Sequence, residues 1–229
     1  MNVRRHSDAM IKALIFDLDG TLLNTLSDIT AAVNDALTRR HFPSRNEEEV
    51  RSFIGSGARR LIERAAPPDS DSDTVSTLLA DFRSYYAAHP DTYTRPYDGI
   101  DEAIGVLRAR GYRIAVVSNK FDAAVQLLCD RFFKETVYPA IGESSLRPRK
   151  PAPDGVFLAA EMLGVPLSEC VYIGDSDVDV RTAENAQIPC LGCAWGFCGA
   201  DALRAAGLAA DSVLYHPREL CDRFPPLDR

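Results

Sequence analysis

The sequence has little that would suit a membrane, a nucleic acid or a secreted scaffold. Its 229 residues contain no apolar run close to the roughly 18 residues needed to span a bilayer. No signal-peptide pattern is found near the first methionine. The formal net charge of −7 disfavours nonspecific binding to nucleic acids. We therefore expect neither a membrane nor a nucleic acid as a partner.

The cysteines also form no dense disulfide framework. Six are spread over the chain, which predicts a reduced, cytoplasmic protein. Cys190, Cys193 and Cys198 lie close together in sequence and leave a zinc site as an alternative. Cys190 falls within an apolar predicted strand, however, and no second cysteine pair has a matching spacing. Zinc is therefore the weaker interpretation.

Three common ligand-binding motifs are missing as well. The chain has no Gly-x-x-x-x-Gly-Lys-Ser/Thr sequence, which argues against a P-loop nucleotide site. Gly55-Ser56-Gly57 lacks both a third glycine at position 60 and a preceding strand, so it does not predict a dinucleotide site. Asp175-x-Asp177-x-Asp179 imitates the start of an EF-hand loop, but Val180 replaces the required glycine and Ala186 the bidentate glutamate.

What the sequence does contain is a short apolar strand that ends in two carboxylates. Residues 13–16 are continuous and apolar, as in a buried parallel strand. Because residues two apart on a strand point the same way, Asp17 and Asp19 would lie together at the edge where open α/β sheets bind ligands. Gly20 permits a sharp turn that brings backbone amides close to an anion. One aspartate could instead cap a helix while the other is solvated, but a close pair repels unless a cation or proton relieves it.

The pattern after this strand divides the chain into two kinds of structure. Residues 25–92 have helical spacing, interrupted by a loop near 67–73. From Tyr97 onward helices and strands alternate, which is typical of a doubly wound, mostly parallel sheet with right-handed crossovers. We predict an α/β, Rossmann-like core with an inserted small helical cap. The predicted parts are a disordered tail at 1–10, the core at 11–24 and 93–229, and the cap at 25–92.

Three further motifs follow apolar strands or lie in the loops after them. Ser118-Asn119 ends a strand predicted from residue 113, Lys150 precedes prolines, and residues 174–179 read Gly-Asp-x-x-x-Asp. Alone, Ser118 is as well explained by a helix cap and Lys150 by a solvated charge. Together with Asp17-Leu18-Asp19-Gly20-Thr21 they form an ordered set of four, which argues against coincidence.

This set resembles the four motifs of the haloacid dehalogenase-like phosphatases, over residues 12–215. The resemblance implies Mg²⁺-dependent hydrolysis of small phosphomonoesters, with Asp17 as the nucleophile and Asp19 as the acid and base. It implies metal binding by Asp17 and Asp175, the backbone carbonyl of Asp19, and Asp179 in a supporting position. The implied phosphate-binding residues, of which Lys150 is also expected to be catalytic, are Gly20, Thr21, Ser118, Asn119 and Lys150.

Within the predicted cap, residues 54–61 resemble the glycine-rich loop of phosphoglycolate phosphatase-like members. Gly57 would let the backbone approach a substrate, and Arg59 or Arg60 could bind a small carboxylate bidentately. The alternative is an ordinary helix-helix turn with both arginines solvated. Asn24-Thr25, where Asp-Ser is common, and the absence of a glycine at 185–187 weaken assignment to one subfamily.

Three other functions share parts of this pattern. A phosphomutase of the β-phosphoglucomutase kind has all four motifs and differs in passing the phosphoryl group to a sugar hydroxyl rather than to water. A hydrolytic dehalogenase needs no metal and usually no acid at position 19. A noncatalytic protein that binds a phosphate ligand is disfavoured by the complete motif set. The expected partner is a small phosphorylated metabolite, and the expected assembly a monomer or homodimer.

Overall fold

A central sheet of parallel strands organises the fold. The computed structural model describes residues 10–227. The strands are β1 (Ala13–Phe16), β2 (Leu23–Asn24), β3 (Arg95–Pro96), β4 (Arg113–Phe121), β5 (Ala140–Glu143), β6 (Cys170–Gly174), β7 (Cys190–Cys193) and β8 (Val213–Leu214). Six of them form one sheet in the order β5-β4-β1-β6-β7-β8, in which every neighbouring pair is parallel. The predicted doubly wound parallel sheet is confirmed.

Ten helices connect and cover these strands within the described residues. They are α1 (Leu26–Thr38), α2 (Glu47–Phe53), α3 (Ala58–Ala65), α4 (Ser72–Ala88), α5 (Ile100–Ala109), α6 (Asp122–Phe133), α7 (Asp154–Leu163), α8 (Asp177–Ala186), α9 (Gly199–Ala205) and α10 (Glu219–Arg223). No helix of the described chain has both the length and the apolarity to cross a membrane.

The central strand β1 is buried on both faces. Leu14 and Phe16 pack with α5 and α6 on one side of the sheet, while Ala13 and Ile15 pack with α7 and α8 on the other. All four side chains have no exposed surface. This two-sided burial explains why the strand is a continuous apolar run rather than an alternating one.

Helices α1 to α4 share an apolar cluster of their own. Its fully or almost fully buried members include Val33, Leu37, Ile62, Leu78 and Tyr86. Side chains cap two of these helices: Asn46 and Glu49 form a capping box at α2, and Asp71 accepts a hydrogen bond from the backbone of Thr74 at α4. That residues 25–92 act as a cap stays a prediction.

Two short connections join this helical unit to the sheet, and they lie side by side. Leu23 pairs with Pro96 and Asn24 with Arg95 in the antiparallel β2-β3 ribbon. Asp28, in the first turn of α1, accepts hydrogen bonds from the backbone N–H groups of Tyr93 and Thr94 at 3.0 and 2.7 Å. The Thr94 hydroxyl donates to the same carboxylate at 2.7 Å. Asp28 therefore connects α1, the first helix after the sheet strand, to the segment at Tyr93 and Thr94 that leads back to the sheet.

Several element boundaries differ from the sequence prediction. The strand predicted from residue 113 to the Ser118-Asn119 motif continues to Phe121. The β2-β3 ribbon and α10 were not predicted. The alternation of helices and strands predicted from Tyr97 onward is confirmed. Most of the tail predicted at 1–10 lies outside the described residues; Met10 is exposed.

Asp28→Asn should lower the free energy of unfolding by about 1–3 kcal/mol, because an amide group would face donors that now bond a charged acceptor. Asp28 is 2% exposed, so water cannot replace the lost contacts. The measurement is the urea midpoint and slope. Asp130→Asn is the control, since Asp130 is exposed and lies 3.8 Å from Lys134; it should change little. Equal values for the two variants would contradict a fastening role for Asp28.

Candidate active site

The predicted motifs meet at one edge of the sheet. Asp17 follows β1, Ser118 lies in β4, and Asp175 follows β6, and these three strands are neighbours. Because the strands are parallel, their C-terminal ends lie side by side, and the three side chains line one cavity. Its interior offers about 60 Å³ to the centres of water-sized groups, several times what one buried water needs. A small ligand fits this space.

Asp17 is buried beside a lysine. Its Oδ1 accepts a hydrogen bond from the backbone N–H of Leu18 at 2.7 Å and lies 3.0 Å from Lys150 Nζ. Burial, with repulsion from Asp179 and Asp19, raises the pKa of Asp17 to about 6, against the opposing effects of Lys150 and Ser118. The Asp17 carboxylate is thus held in place, but its negative charge is only partly offset.

Three carboxylates lie close enough to bind one cation. One oxygen from each of Asp17, Asp175 and Asp179 falls within 4.8 Å of the others. Burial, and then the charges of Asp179 and Asp17, raise the pKa of Asp175 well above its usual value. A hard divalent cation such as Mg²⁺ prefers these oxygen ligands, and it would relieve their repulsion. The donor set therefore fits Mg²⁺.

Glycines around this cluster leave room for the carboxylates. A Cβ atom on Gly20 or Gly196 would lie 2.5 or 2.3 Å from atoms of Asp175, and one on Gly174 would lie 2.3 Å from Asp179. Gly20 also has a φ of +83°, which favours glycine. Larger residues at these positions would displace the acidic side chains.

The structure gives no support to the zinc alternative. Among residues 10–227, the carboxylate cluster is the only group of three or more His, Cys, Asp or Glu side chains with metal-binding spacing. All six cysteines are free thiols. Burial raises the pKa of Cys190, Cys193 and Cys198, which disfavours the thiolate form that zinc binds.

Lys150 connects two of the carboxylates. Its Nζ lies 3.0 Å from Asp17 Oδ1 and 2.7 Å from Asp179 Oδ1, and it donates to the Tyr172 hydroxyl at 2.9 Å. Burial disfavours the charged lysine, but the two carboxylates outweigh it and raise the pKa of Lys150. Tyr172 in turn donates to the backbone carbonyl of Val117 at 2.8 Å. Sequence reasoning missed Tyr172, because a tyrosine within an apolar strand gives no motif.

Asp19 is held by a second lysine that the sequence analysis also missed. Lys120 Nζ lies 3.0 and 3.2 Å from the two Asp19 oxygens, and the Thr25 hydroxyl donates to Asp19 Oδ1 at 2.7 Å. Lys120 also lies 4.3 Å from the ring centre of Tyr86 in α4. The alternation of side chains along β4 could have identified Lys120, since it follows Ser118 by two positions and therefore points to the same side.

Asn119 joins the helical unit to the loop of Lys150. Its amide donates to the carbonyl oxygens of Gly55 and Lys150, both at 3.0 Å, and its Oδ1 accepts from the backbone N–H of Lys150 at 2.8 Å. These bonds bring the Gly55-Ser56-Gly57 turn to the cavity, and Gly57 is among the lining residues. Asn119 thus contacts protein groups on two sides of the cavity.

Thr21 and Asp179 support their neighbours from beneath the cavity. The Thr21 hydroxyl donates to Asp175 Oδ1 at 3.1 Å, and the backbone N–H of Phe197 donates to Asp175 Oδ2 at 2.8 Å. Asp179 accepts from the backbone and the hydroxyl of Ser176 at 3.0 and 2.6 Å, so it also caps α8. A phosphate contact of Thr21 stays a prediction; in this structure its hydroxyl bonds Asp175.

The two arginines predicted for substrate binding do not line the cavity. Arg59 and Arg60 lie on the exposed side of α3, where both pair with Glu63 at 3.2 and 3.0 Å. The reason is helical geometry: Ala58 and Leu61 face the cavity, so positions 59 and 60 point away from it. A different arginine, Arg51 of α2, lines the cavity.

Comparison with known proteins agrees with this geometry. The family model for haloacid dehalogenase-like hydrolases matches residues 14–193. A phosphoglycolate phosphatase of Pseudomonas syringae pathovar tomato is 32% identical over 197 residues, which cover 81% of this chain and 70% of that protein. An N-acetylmuramic acid 6-phosphate phosphatase of Pseudomonas aeruginosa is 30% identical over 213 residues, or 93% of this chain and 94% of its own length.

Solved structures show the same architecture. A proposed phosphoglycolate phosphatase from Lactobacillus delbrueckii subspecies bulgaricus superposes with a TM-score of 0.89 at 33% identity, covering 94% of this chain and 99% of that one. CbbY from Rhodobacter sphaeroides, solved with phosphate, has a TM-score of 0.66 at 25% identity, with 80% and 86% coverage. This chain therefore belongs to the haloacid dehalogenase-like hydrolase family, as a phosphatase that resembles phosphoglycolate phosphatases.

Proposed function

We propose that this protein is a Mg²⁺-dependent hydrolase of small phosphomonoesters that works through an aspartyl-phosphate on Asp17. The supporting observation is the buried cluster of Asp17, Asp175 and Asp179 with Lys150 in contact with two of its members. Three carboxylates beside one lysine are costly to bury unless a cation offsets their charge, and such strained charge clusters are common at catalytic sites. It lies in a cavity of the right size for a small phosphate ester.

The metal would be held by the carboxylates of Asp17 and Asp175 and the backbone carbonyl of Asp19, with Asp179 in a supporting position. When bound, Mg²⁺ supplies positive charge that offsets the phosphate dianion and the acidic cluster. Asp179 has a further task in the protein itself, because it also binds Lys150 and the start of α8.

In the first half-reaction, Asp17 attacks the phosphorus atom and the ester P–O bond breaks. Lys150 and Ser118 hold the transferring group, and Lys150 also keeps Asp17 in position from 3.0 Å. The expected role of Asn119 is best served by its backbone, since its side chain already bonds Gly55 and Lys150. Positioning and charge stabilisation of this kind supply most of the rate in phosphoryl transfer.

Asp19 would give a proton to the departing oxygen and later take one from the water that attacks the aspartyl-phosphate. Proton transfer by a positioned group contributes about 10²- to 10⁴-fold. In the present arrangement Asp19 is bonded to Lys120 and Thr25. Asp19 would have to exchange part of these contacts for the ester oxygen, and the water attack that follows releases phosphate and restores Asp17.

The relatives named above make phosphoglycolate the first ester to test, with Arg51 as the cation available to its carboxylate. Transfer to a sugar hydroxyl, as in a phosphomutase, is less well supported. A sugar needs several hydrogen-bonding partners. The helical unit contributes mainly apolar side chains to the cavity, among them Ile29, Ile54 and Phe82.

Asp17→Asn should lower kcat by roughly 10³-fold or more while the protein stays folded, because the amide keeps the shape but not the nucleophile. Phosphate release from para-nitrophenyl phosphate with Mg²⁺ is the assay, and circular dichroism checks folding. The control is Asp177→Asn, a nearby half-exposed carboxylate outside the metal-binding group. A folded Asp17→Asn variant with a tenth of wild-type turnover would exclude Asp17 as the nucleophile.

Removal of divalent metal with EDTA should abolish turnover, and Mg²⁺ should restore it, because the clustered carboxylates otherwise repel the dianion. Mg²⁺ should also raise the melting temperature, since it binds only the folded cluster. Asp175→Asn should reduce this thermal shift, whereas Asp177→Asn should retain it. Full activity after dialysis against EDTA would contradict a metal requirement.

Gly20→Ala should reduce kcat/KM by about 100-fold, because its Cβ would lie 2.5 Å from Asp175 Oδ2 and its φ is +83°. The matched control is Gly105→Ala in the middle of α5, where no atom lies within 4 Å of the new Cβ. That variant should keep full activity and gain about 0.5–1 kcal/mol of stability. Comparable activity of the two variants would show that the site tolerates movement of Asp175.

A further inference from the structure

The cavity has two chemically different ends. The sheet contributes the charged end, with Asp17, Ser118 and Asp175. The helical unit contributes the other end, where Arg51 is its one charged side chain among the described lining residues. The remaining side chains from that unit are apolar: Ile29, Ile54, Ala58, Leu61 and Phe82.

Two aromatic residues of the core extend this apolar wall to the charged end. Phe121 directly follows Lys120, and the backbone N–H of Phe197 bonds Asp175. Both rings are half-buried and pack against the apolar cluster of helices α1 to α4. The wall thus begins next to the position of the phosphoryl group, where the alcohol part of an ester must lie.

We infer that the cavity selects phosphomonoesters with an apolar leaving group, an alkyl or aryl alcohol, next to the ester oxygen. This inference rests on the phosphatase activity proposed above. A hydroxylated leaving group would lose water against this wall with few partners to replace it, which is unfavourable. An alkyl or aryl group would gain from the same loss of water. Phosphoglycolate has one methylene group for this wall and depends on Arg51 for its carboxylate.

A competing explanation is that the wall only holds the helical unit against the sheet. Such an interface would also be apolar, and its removal would lower the stability of the protein. It would not, however, distinguish between two esters of equal size. Substrate discrimination therefore separates the two explanations.

The test compares n-butyl phosphate with 3-hydroxypropyl phosphate, in which a hydroxyl replaces the terminal methyl group. Both have the same number of non-hydrogen atoms and leaving alcohols of similar acidity. We expect kcat/KM with Mg²⁺ to favour butyl phosphate by about 10- to 100-fold. From ethyl to butyl phosphate it should rise roughly fourfold per added methylene. Inhibition by butylphosphonate should be stronger than by 3-hydroxypropylphosphonate in the same proportion.

Ile54→Thr replaces an ethyl group of the wall by a hydroxyl and should bring the butyl preference close to one. Its matched control is Val75→Thr, which adds a hydroxyl to the same apolar cluster away from the cavity lining. That control should lower stability but keep the preference.

Three results would overturn the inference. Equal kcat/KM for the two esters on an active enzyme would refute the apolar leaving-group site and leave the phosphatase proposal intact. An equal loss of preference in both variants would attribute it to packing of the helical unit. Turnover of no ester, with no difference between the two phosphonates, would refute the phosphatase proposal and this inference together.

Discussion

Mutual repulsion of buried carboxylates is the constraint on which the rest of the site depends. Asp17, Asp175 and Asp179 are packed at the end of the central strands with little water around them. Lys150 offsets part of this charge through contacts to two of them, and Tyr172 holds the lysine from the opposite side. Loss of one partner from a buried ion pair typically costs about 3–5 kcal/mol. Three carboxylates face one lysine, so the cluster keeps an excess of negative charge that a divalent cation could offset.

The scaffold explains how such a set can be kept together. Parallel strands end at a common edge, so short loops after β1 and β6 can bring acidic residues from distant parts of the chain into contact. Helices on both faces of the sheet bury the strands themselves. The glycines around Asp175 and Asp179 then remove the side chains that would keep the carboxylates apart. The packing of helices on the sheet thus stabilises the fold, while Asp17 and Asp175 lie in the loops that follow the strands.

Much of this arrangement could be predicted from local sequence patterns, and the remainder required tertiary contacts. The apolar run at 13–16 with Asp17 and Asp19 predicts a strand end with two acids, and the structure has both there. Tyr172 could not be assigned, because its partner Lys150 is 22 residues away and no motif links them. The alternation of β4 puts Lys120 on the side of Ser118, but its partner Asp19, 101 residues away, could not be predicted. Arg59 and Arg60 were placed in the site because they follow a glycine turn, but the helix turns them outward to Glu63. Contacts between residues that are far apart in sequence cannot be predicted from a local pattern. For a residue on a helix, its position around the helix axis determines whether it faces the site.

The β2-β3 ribbon has a consequence for how this chain could be rearranged. Because Leu23 pairs with Pro96 and Asn24 with Arg95, the helical unit leaves the sheet domain and returns to it at one point. A tight turn could join the two strands of the ribbon in its place without stretching the sheet, since neighbouring strands lie only about 5 Å apart. The same geometry makes this point a natural position for insertion of other modules. Exchange of the helical unit at this point would leave the acidic edge of the sheet unchanged, and under the role proposed for that unit it would change the substrate.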